Sequence, residues 1–172
     1  MKNTNWFVIT GAPRSGKTKA IERLAYYGYK TCPEIARLLF DEYSSKGFEK
    51  EYEFVEDILF YEKLKAEKNF HENEIVFFDR CPIDSIAFAK LYNKPYIDYI
   101  EKINFQYKKI FFIESLDNYN LDYATQETKE EAQFLGELLI ETYETLNYKL
   151  IFVPKMSISD RVRYIKNEIT KE

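Results

Sequence analysis

The chain has 172 residues, a length that fits one domain with a continuous buried core. Its 25 basic and 29 acidic residues leave a formal net charge of −4, which argues against a broad nucleic-acid-binding face while leaving room for a local basic pocket. No apolar run approaches the ~20 residues needed to span a bilayer, and the N-terminus MKNTNW lacks the apolar core of a signal peptide.

The two cysteines, Cys32 and Cys81, are too few and too scattered for a disulfide framework or a zinc site. A reducing, cytoplasmic setting is the expectation. In chain order, Trp6 to Thr10 is a short apolar run ending at a glycine, which predicts a buried strand. From about Gly16 to Tyr27, the residues Ile21, Leu24 and Ala25 recur at helical spacing, closed by Gly28. A short second strand is expected at Tyr29–Cys32. A helix from Glu34 to about Tyr43 follows, behind Pro33, where proline is tolerated.

Phe48 to Phe70 reads as a long helix crowded with Tyr, Phe, Leu and Ile, its aromatics serving as core and groove wall rather than a ligand cage. Glu74 to Asp79 (EIVFFD) is the clearest buried strand. Helices at about Pro82–Leu91 and Pro95–Phe105 precede a strand at Lys109–Ile113. The polar segment of about 114–128 has no periodic pattern and reads as a lid-like loop. A helix over Lys129–Leu146, a strand over Lys149–Val153 and a helix over Ser157–Glu168 complete the chain. Strands alternating with helices imply an α/β fold with a parallel sheet covered on both faces. No repeat or linker divides residues 1–172, so one nucleotide-binding domain is expected.

The chain has only five glycines, and two of them bracket a motif. Gly11, Gly16, Lys17 and Thr18 match G-x-x-x-x-G-K-[ST], with Ala12, Pro13, Arg14 and Ser15 between. At average residue usage a chain of this length meets that pattern by chance roughly once in two hundred sequences. Its position between a buried strand and an amphipathic helix is the one its mechanism requires. Glycines let backbone N–H groups turn inward around phosphates, and the helix N-terminus adds its positive dipole end. Lys17 would reach the β- and γ-phosphates, and the Thr18 hydroxyl would bind Mg²⁺. The motif reads as a nucleoside-triphosphate site.

Ligands of open parallel sheets sit beyond the carboxyl ends of the strands. The second strand delivers CPEIAR, placing Glu34 and Arg37 there, and the third delivers FFDRCP, placing Asp79 and Arg80. Asp79 has the form of a Walker-B aspartate that holds the metal; its alternative is a helix N-cap. Glu34 can take a proton from an acceptor hydroxyl or contact Mg²⁺, or serve as a plain first-turn helix glutamate. Arg80 and Arg37 can bind transferring phosphate or acceptor, or pair with Asp79 or Glu34.

Cys32 and Cys81 read as small buried fillers on neighbouring strands. His71, the only histidine, reads as a surface residue. Asn93-Lys94-Pro95-Tyr96 departs from the guanine-reading N-K-x-D pattern at Tyr96, so it carries no base-reading role.

Taken together, GAPRSGKT, CPEIAR, FFDRCPID and VPKMSISDRVRYI resemble a family of AAA-labelled ATP-binding domains. That family is similar to the nicotinamide riboside kinase domain of bifunctional NAD-salvage proteins and, more distantly, to nucleoside and nucleotide kinases. The resemblance implies a three-layer αβα P-loop NTPase with a five-stranded parallel sheet in kinase-type order 2-3-1-4-5. It implies a base-like Glu34, a metal-linked Asp79, and adenine packed near Pro154 to Met156. It also implies a small-molecule phosphoryl acceptor with a hydroxyl group, such as a nucleoside or ribosyl compound. The acceptor would be lined by the aromatic helix near Tyr52 to Tyr61 and by the segment after Asp79. Neither nucleic acid nor membrane is an expected partner, and a monomer or small homo-oligomer is expected. One departure stands out: the family's lid carries an arginine in a D-x-x-R-x-E pattern, and here Thr125 occupies that position. Arg14, Arg37, Arg80 and Lys129 are the candidates to substitute for it. The alternative function is a slow or non-catalytic ATP- or GTP-binding module that signals through lid ordering.

Overall fold

Four short apolar runs and the more polar segment Lys30–Cys32 assemble into one parallel sheet. In a computed structural model of the chain the described residues are 1–45, 55–114 and 128–171. The sheet strands are β2 (Trp6–Thr10), β3 (Lys30–Cys32), β4 (Val76–Asp79), β6 (Lys109–Ile113) and β7 (Leu150–Val153). They lie in the order β3-β4-β2-β6-β7, all parallel, so the sheet strands taken in chain order run 2-3-1-4-5 as expected. A two-residue parallel pair, β1 (Lys2–Asn3) with β5 (Phe105–Gln106), lies outside that expectation. These runs are too short to show a period of two.

The helices are α1 (Lys17–Tyr26), α2 (Ile35–Ser45), α3 (Val55–Glu67), α4 (Pro82–Leu91), α5 (Ile97–Lys102), α6 (Lys129–Thr145) and α7 (Ile158–Ile169). Alternation along the strands divides the core. Trp6, Val8, Phe78, Ile110 and Phe112 face one way and pack with Phe60 of α3, Ile83 and Ile86 of α4, and Leu135, Leu139 and Tyr143 of α6. Phe7, Ile9, Phe77, Phe111 and Ile113 face the other way, against Ala20, Ile21 and Leu24 of α1 and Val162 and Ile165 of α7. This sidedness follows from the period-two geometry of a strand buried on both faces.

Two helix ends differ from the sequence expectation. The long aromatic helix ends at Glu67 rather than Phe70, where the Asn69 and Phe70 amides close turns onto Ala66 and Glu67. The helix expected to reach Phe105 ends at Lys102, because Phe105 joins β5 and its ring packs 4.6 Å from that of Trp6. The expected segment of about 48–54, with Tyr52, and the lid stretch with Thr125 lie outside the described residues. Phe60 is fully buried and stacks on Tyr99 at 4.1 Å, while Tyr61 lines a surface groove with Lys65, Lys102 and Phe105. Core and groove wall are therefore both represented. Among the described residues no helix is long and apolar enough to cross a membrane.

At the end of α3 a carboxyl group is buried. Glu67 is 1% exposed; the Tyr107 hydroxyl donates to its Oε1, and its Oε2 has no partner among the described residues. Burial pushes its pKa up to about 8, against the pull of the Tyr107 hydrogen bond and the Lys63 charge. The folded protein then holds this proton through neutral pH, while the unfolded chain releases it near the ordinary value of 4.5. Stability from this group is fully present below the unfolded value and is lost as pH rises towards 8. Relative to Glu67→Gln, the wild type is expected to lose stability between pH 5 and 8, at up to about 1.4 kcal/mol per pH unit. Chemical denaturation of both proteins across that range measures the difference, and parallel profiles would count against a protonated Glu67.

Candidate active site

The phosphate loop is shaped by two glycines that no other residue could replace without strain. Gly11 has φ 140°, and a Cβ there would collide with the Ile113 carbonyl oxygen on the neighbouring strand. Gly16 has φ 87° and is the N-cap of α1, with no side chain capping the helix. The first turn of α1 contains no acidic residue, although acids are favoured at helix N-termini. An uncapped helix start behind a glycine loop suits an anionic ligand.

Inside the loop the Lys17 ammonium donates to the Ala12 carbonyl at 2.8 Å and to Ser15 Oγ at 3.3 Å. Lys17 is 6% exposed, and burial, helped by the Arg80 charge, lowers its pKa to about 8 against the opposing pull of Glu34, Asp79 and Asp84. Pro13 and Arg14 complete the curve; Arg14 adopts the left-handed backbone at φ 61°.

Beside the loop, at the carboxyl end of β4, Asp79 stands opposite Ile9 in register and is 2% exposed. Its Oδ2 accepts from the Thr18 hydroxyl at 2.9 Å, and its buried Oδ1 has no partner among the described residues. Burial and the Glu34 charge raise its pKa, against Lys17 and the Thr18 hydrogen bond. A hydroxyl and an orphaned carboxylate oxygen side by side fit a hard divalent cation such as Mg²⁺. The N-cap alternative for Asp79 falls away, since the N-cap of α4 is Cys81.

Arg80 ties the ends of β3 and β4 to the phosphate loop. It takes φ 66°, a left-handed turn at the end of β4 that folds its side chain back under the phosphate loop. Its Nε donates to Glu34 at 3.1 Å, its Nη1 to Asp84 at 3.1 Å and its Nη2 to the Gly11 carbonyl at 3.1 Å. Of the ion pairs open in the sequence, it makes the one with Glu34; its second carboxylate is Asp84, not Asp79. Asp84 was invisible as a site residue in the sequence, yet it is fully buried and accepts from Thr10 Oγ1, the Cys81 amide and the Tyr143 hydroxyl as well. The signal available for it was its spacing, four residues after Arg80 and three after the N-cap.

Burial works to raise both carboxyls, but Arg80, with Lys17 for Glu34 and Lys63 for Asp84, outweighs it and holds each below the usual carboxylate range. Glu34 is thus an ionised carboxylate at the sheet mouth, its side chain 22% exposed. Arg37, one turn further along α2, is exposed. Lys63, 5% exposed, reaches from α3 to Ser85 Oγ at 2.8 Å, a buried link that no motif announced.

Pro154 and Met156 follow β7, the edge strand of the sheet, and precede α7. Cys32 and Cys81 are both buried free thiols, and burial raises the pKa of each. They are inert fillers, though Cys81 Sγ lies 3.2 Å from the Tyr143 hydroxyl. His71 is exposed; its backbone carbonyl accepts from the Trp6 indole and its Nδ1 accepts from the Asn73 amide. Among the described residues no cluster of three or more His, Cys, Asp or Glu side chains forms a metal site.

Comparison with solved structures places this geometry in a known fold. A deoxyadenosine kinase from M. mycoides superposes with a TM-score of 0.70 at 17% identity, covering 95% of this chain and 98% of that one. The NadR protein in complex with NR gives 0.74 at 18% identity, covering 98% of this chain and 52% of NadR, so the chain spans about half of that protein. A thymidylate kinase from Ehrlichia chaffeensis gives 0.68 at 13% identity over 99% and 100%. The fold is therefore that of P-loop nucleoside and nucleotide kinases. No curated protein sequence matches the chain. The AAA domain family matches residues 6–161, from the first sheet strand to the arginine in the first turn of α7, and on that match the chain belongs to the AAA domain family.

Proposed function

We propose that this protein is an ATP-dependent kinase that transfers the γ-phosphoryl group of MgATP to a hydroxyl of a small acceptor, a nucleoside or similar ribosyl compound. The carrying observation is the ionised Glu34 carboxylate, held by Arg80 at the sheet mouth next to the phosphate loop. Such a carboxylate orients an acceptor hydroxyl and takes its proton as the new P–O bond forms. Lys17, released from its contacts within the loop, neutralises charge on the β- and γ-phosphates. Thr18 and Asp79 are the residues that would hold Mg²⁺, which supplies Lewis-acid neutralisation of phosphate charge when bound. Arg80, in contact with Glu34, would keep the base ionised and add positive charge under the loop. Adenine would lie towards Pro154 to Met156. The nucleoside class of the acceptor draws on likeness to the deoxyadenosine kinase and to NadR with NR.

One observation favours the second reading, a slow or non-catalytic nucleotide-binding module. Thr125 stands where the family's lid carries arginine, and three of the Arg80 guanidinium's donors are already committed to Glu34, Asp84 and Gly11. ADP release from MgATP, with and without a panel of nucleosides including nicotinamide riboside, decides between them. A Lys17-dependent rise with one acceptor is the expected result and names the substrate class. Nucleotide binding with no acceptor-stimulated release would favour the module.

A further inference from the structure

Helix α7 carries an apolar stripe through Ile158, Val162 and Ile165, and Arg161 falls on that same stripe. It is among the largest fully buried side chains in the protein, at 0% exposure. Its Nη1 donates to the Ser15 carbonyl inside the phosphate loop, and a Cβ at Gly16 would meet Nη1 at 3.0 Å. Its Nε and Nη2, both buried, have no hydrogen-bond partner among the described residues. Among the described residues no carboxylate lies within ion-pair distance; Glu114 supports its charge only from further away, against burial. A guanidinium left in this state is costly, because only one backbone carbonyl replaces the hydration it has lost.

The geometry shows what the position accomplishes. A trans peptide points its C=O and its following N–H to opposite sides, and no cis peptide occurs here. Tying the Ser15 carbonyl to Arg161 on the α7 side therefore turns the Gly16 N–H to the other side of the loop. The buried cation also lies one peptide layer behind the site that phosphates would occupy.

We propose that Arg161 is a positioning residue for polyphosphate: it directs the Gly16 N–H into the loop, and its buried charge is compensated only when the nucleotide's phosphates bind. This rests on the nucleotide-site reading above, and it assigns to α7 a part in anion binding that the phosphate-loop motif does not contain.

The test compares wild type with Arg161→Met, Arg161→Gln and Arg161→Lys, measuring calorimetric binding of MgATP, MgADP and adenosine and the melting temperature of the empty proteins. Loss of the charge in the Met and Gln variants is expected to weaken MgATP about tenfold, MgADP less, and adenosine less than twofold. Lys is expected to stay within about threefold of wild type for MgATP. The empty Met variant is expected to melt no lower than wild type, since an uncompensated buried charge has been removed.

A purely structural tie moves these readouts the other way, with a lower melting temperature and unchanged nucleotide affinity, and that result overturns the proposal. Equal weakening of adenosine and MgATP overturns it too, because the side chain would then shape the base site. Should the Met variant fail to fold, the Gln-to-Lys comparison still decides, since Gln can keep a donor to Ser15 while losing the charge. Absence of MgATP binding by the wild type would instead overturn the nucleotide-site reading itself.

Discussion

Lys17→Ala is expected to lower acceptor-dependent ADP release by about a hundredfold to a thousandfold and to weaken MgATP binding by about tenfold. The side chain already lies within the phosphate loop, bonded to the Ala12 carbonyl and Ser15 Oγ, so truncation deletes the charge at the point where the β- and γ-phosphates would sit. The protonation of Lys17 gives the experiment a second reading. With its pKa lowered to about 8 in the empty protein, Lys17 has lost half of its protonation at that pH. Bound triphosphate favours the charged form and raises the pKa again. By linkage, MgATP affinity should fall as pH rises through about 8 and level off above the bound-state value. In Lys17→Ala that decline should vanish. Steady-state turnover and calorimetric titrations at pH 7 and pH 9 report both effects, and unchanged turnover in the variant would sink the assigned site.

Arg80→Ala is expected to be the most destabilising single change at the site, by about 3–5 kcal/mol. For a chain of this length that corresponds to a fall in melting temperature of roughly 10 °C. The reason is the number of groups that depend on one side chain, itself only 5% exposed. Its removal leaves Asp84 fully buried without its cation, frees Glu34 from its anchor, and strips the Gly11 carbonyl of a donor. The cation also lies over the Phe88 ring at 5.3 Å, and the attraction between them disappears in the variant. Without Arg80 the Glu34 pKa should rise, because burial would then be opposed only by the charges of Lys17 and Lys63. Arg80→Lys should recover only part of the loss, since one ammonium cannot reproduce a planar fork shared among Glu34, Asp84 and Gly11. Thermal unfolding of both variants measures the effect; a loss below about 1 kcal/mol would show that the network makes little net contribution.

The two predictions differ in where their information came from. Lys17 could be read directly from the sequence because the phosphate loop is a local device. Gly11, Gly16, Lys17 and Thr18 work through the backbone conformation of one strand–turn–helix, and their spacing alone encodes it. The strand order was likewise legible, through the motifs at the ends of the strands and the family they resemble. The apolar runs at β2, β4 and β6 are buried on both faces and read as strands without any partner in view. Asp79 belongs to the same class, since a carboxylate closing the run Val76-Phe77-Phe78 can only emerge at the sheet's mouth.

Other features depended on pairings between distant segments. Arg80 and Glu34 are 46 residues apart, and nothing local decided that Arg80 would choose Glu34 and Asp84 over Asp79. The left-handed turn at Arg80 and the close approach of Gly11 made that choice. Asp84 joins Thr10 across 74 residues and Tyr143 across 59, so its part in the site exists only once α4, α6 and β2 are packed. Arg161 reaches Ser15 across 146 residues. Its one trace in the sequence is a charge on the buried stripe of an amphipathic helix, which marks a conflict without naming its resolution. By itself the sequence determined the nucleotide loop, the α/β class and the strand-end carboxylates, because each is written in short-range spacing. The choice of ion-pair partners, the depth of their burial and the protonation states that follow were decided only by the tertiary structure, since burial and field depend on what distant segments bring close.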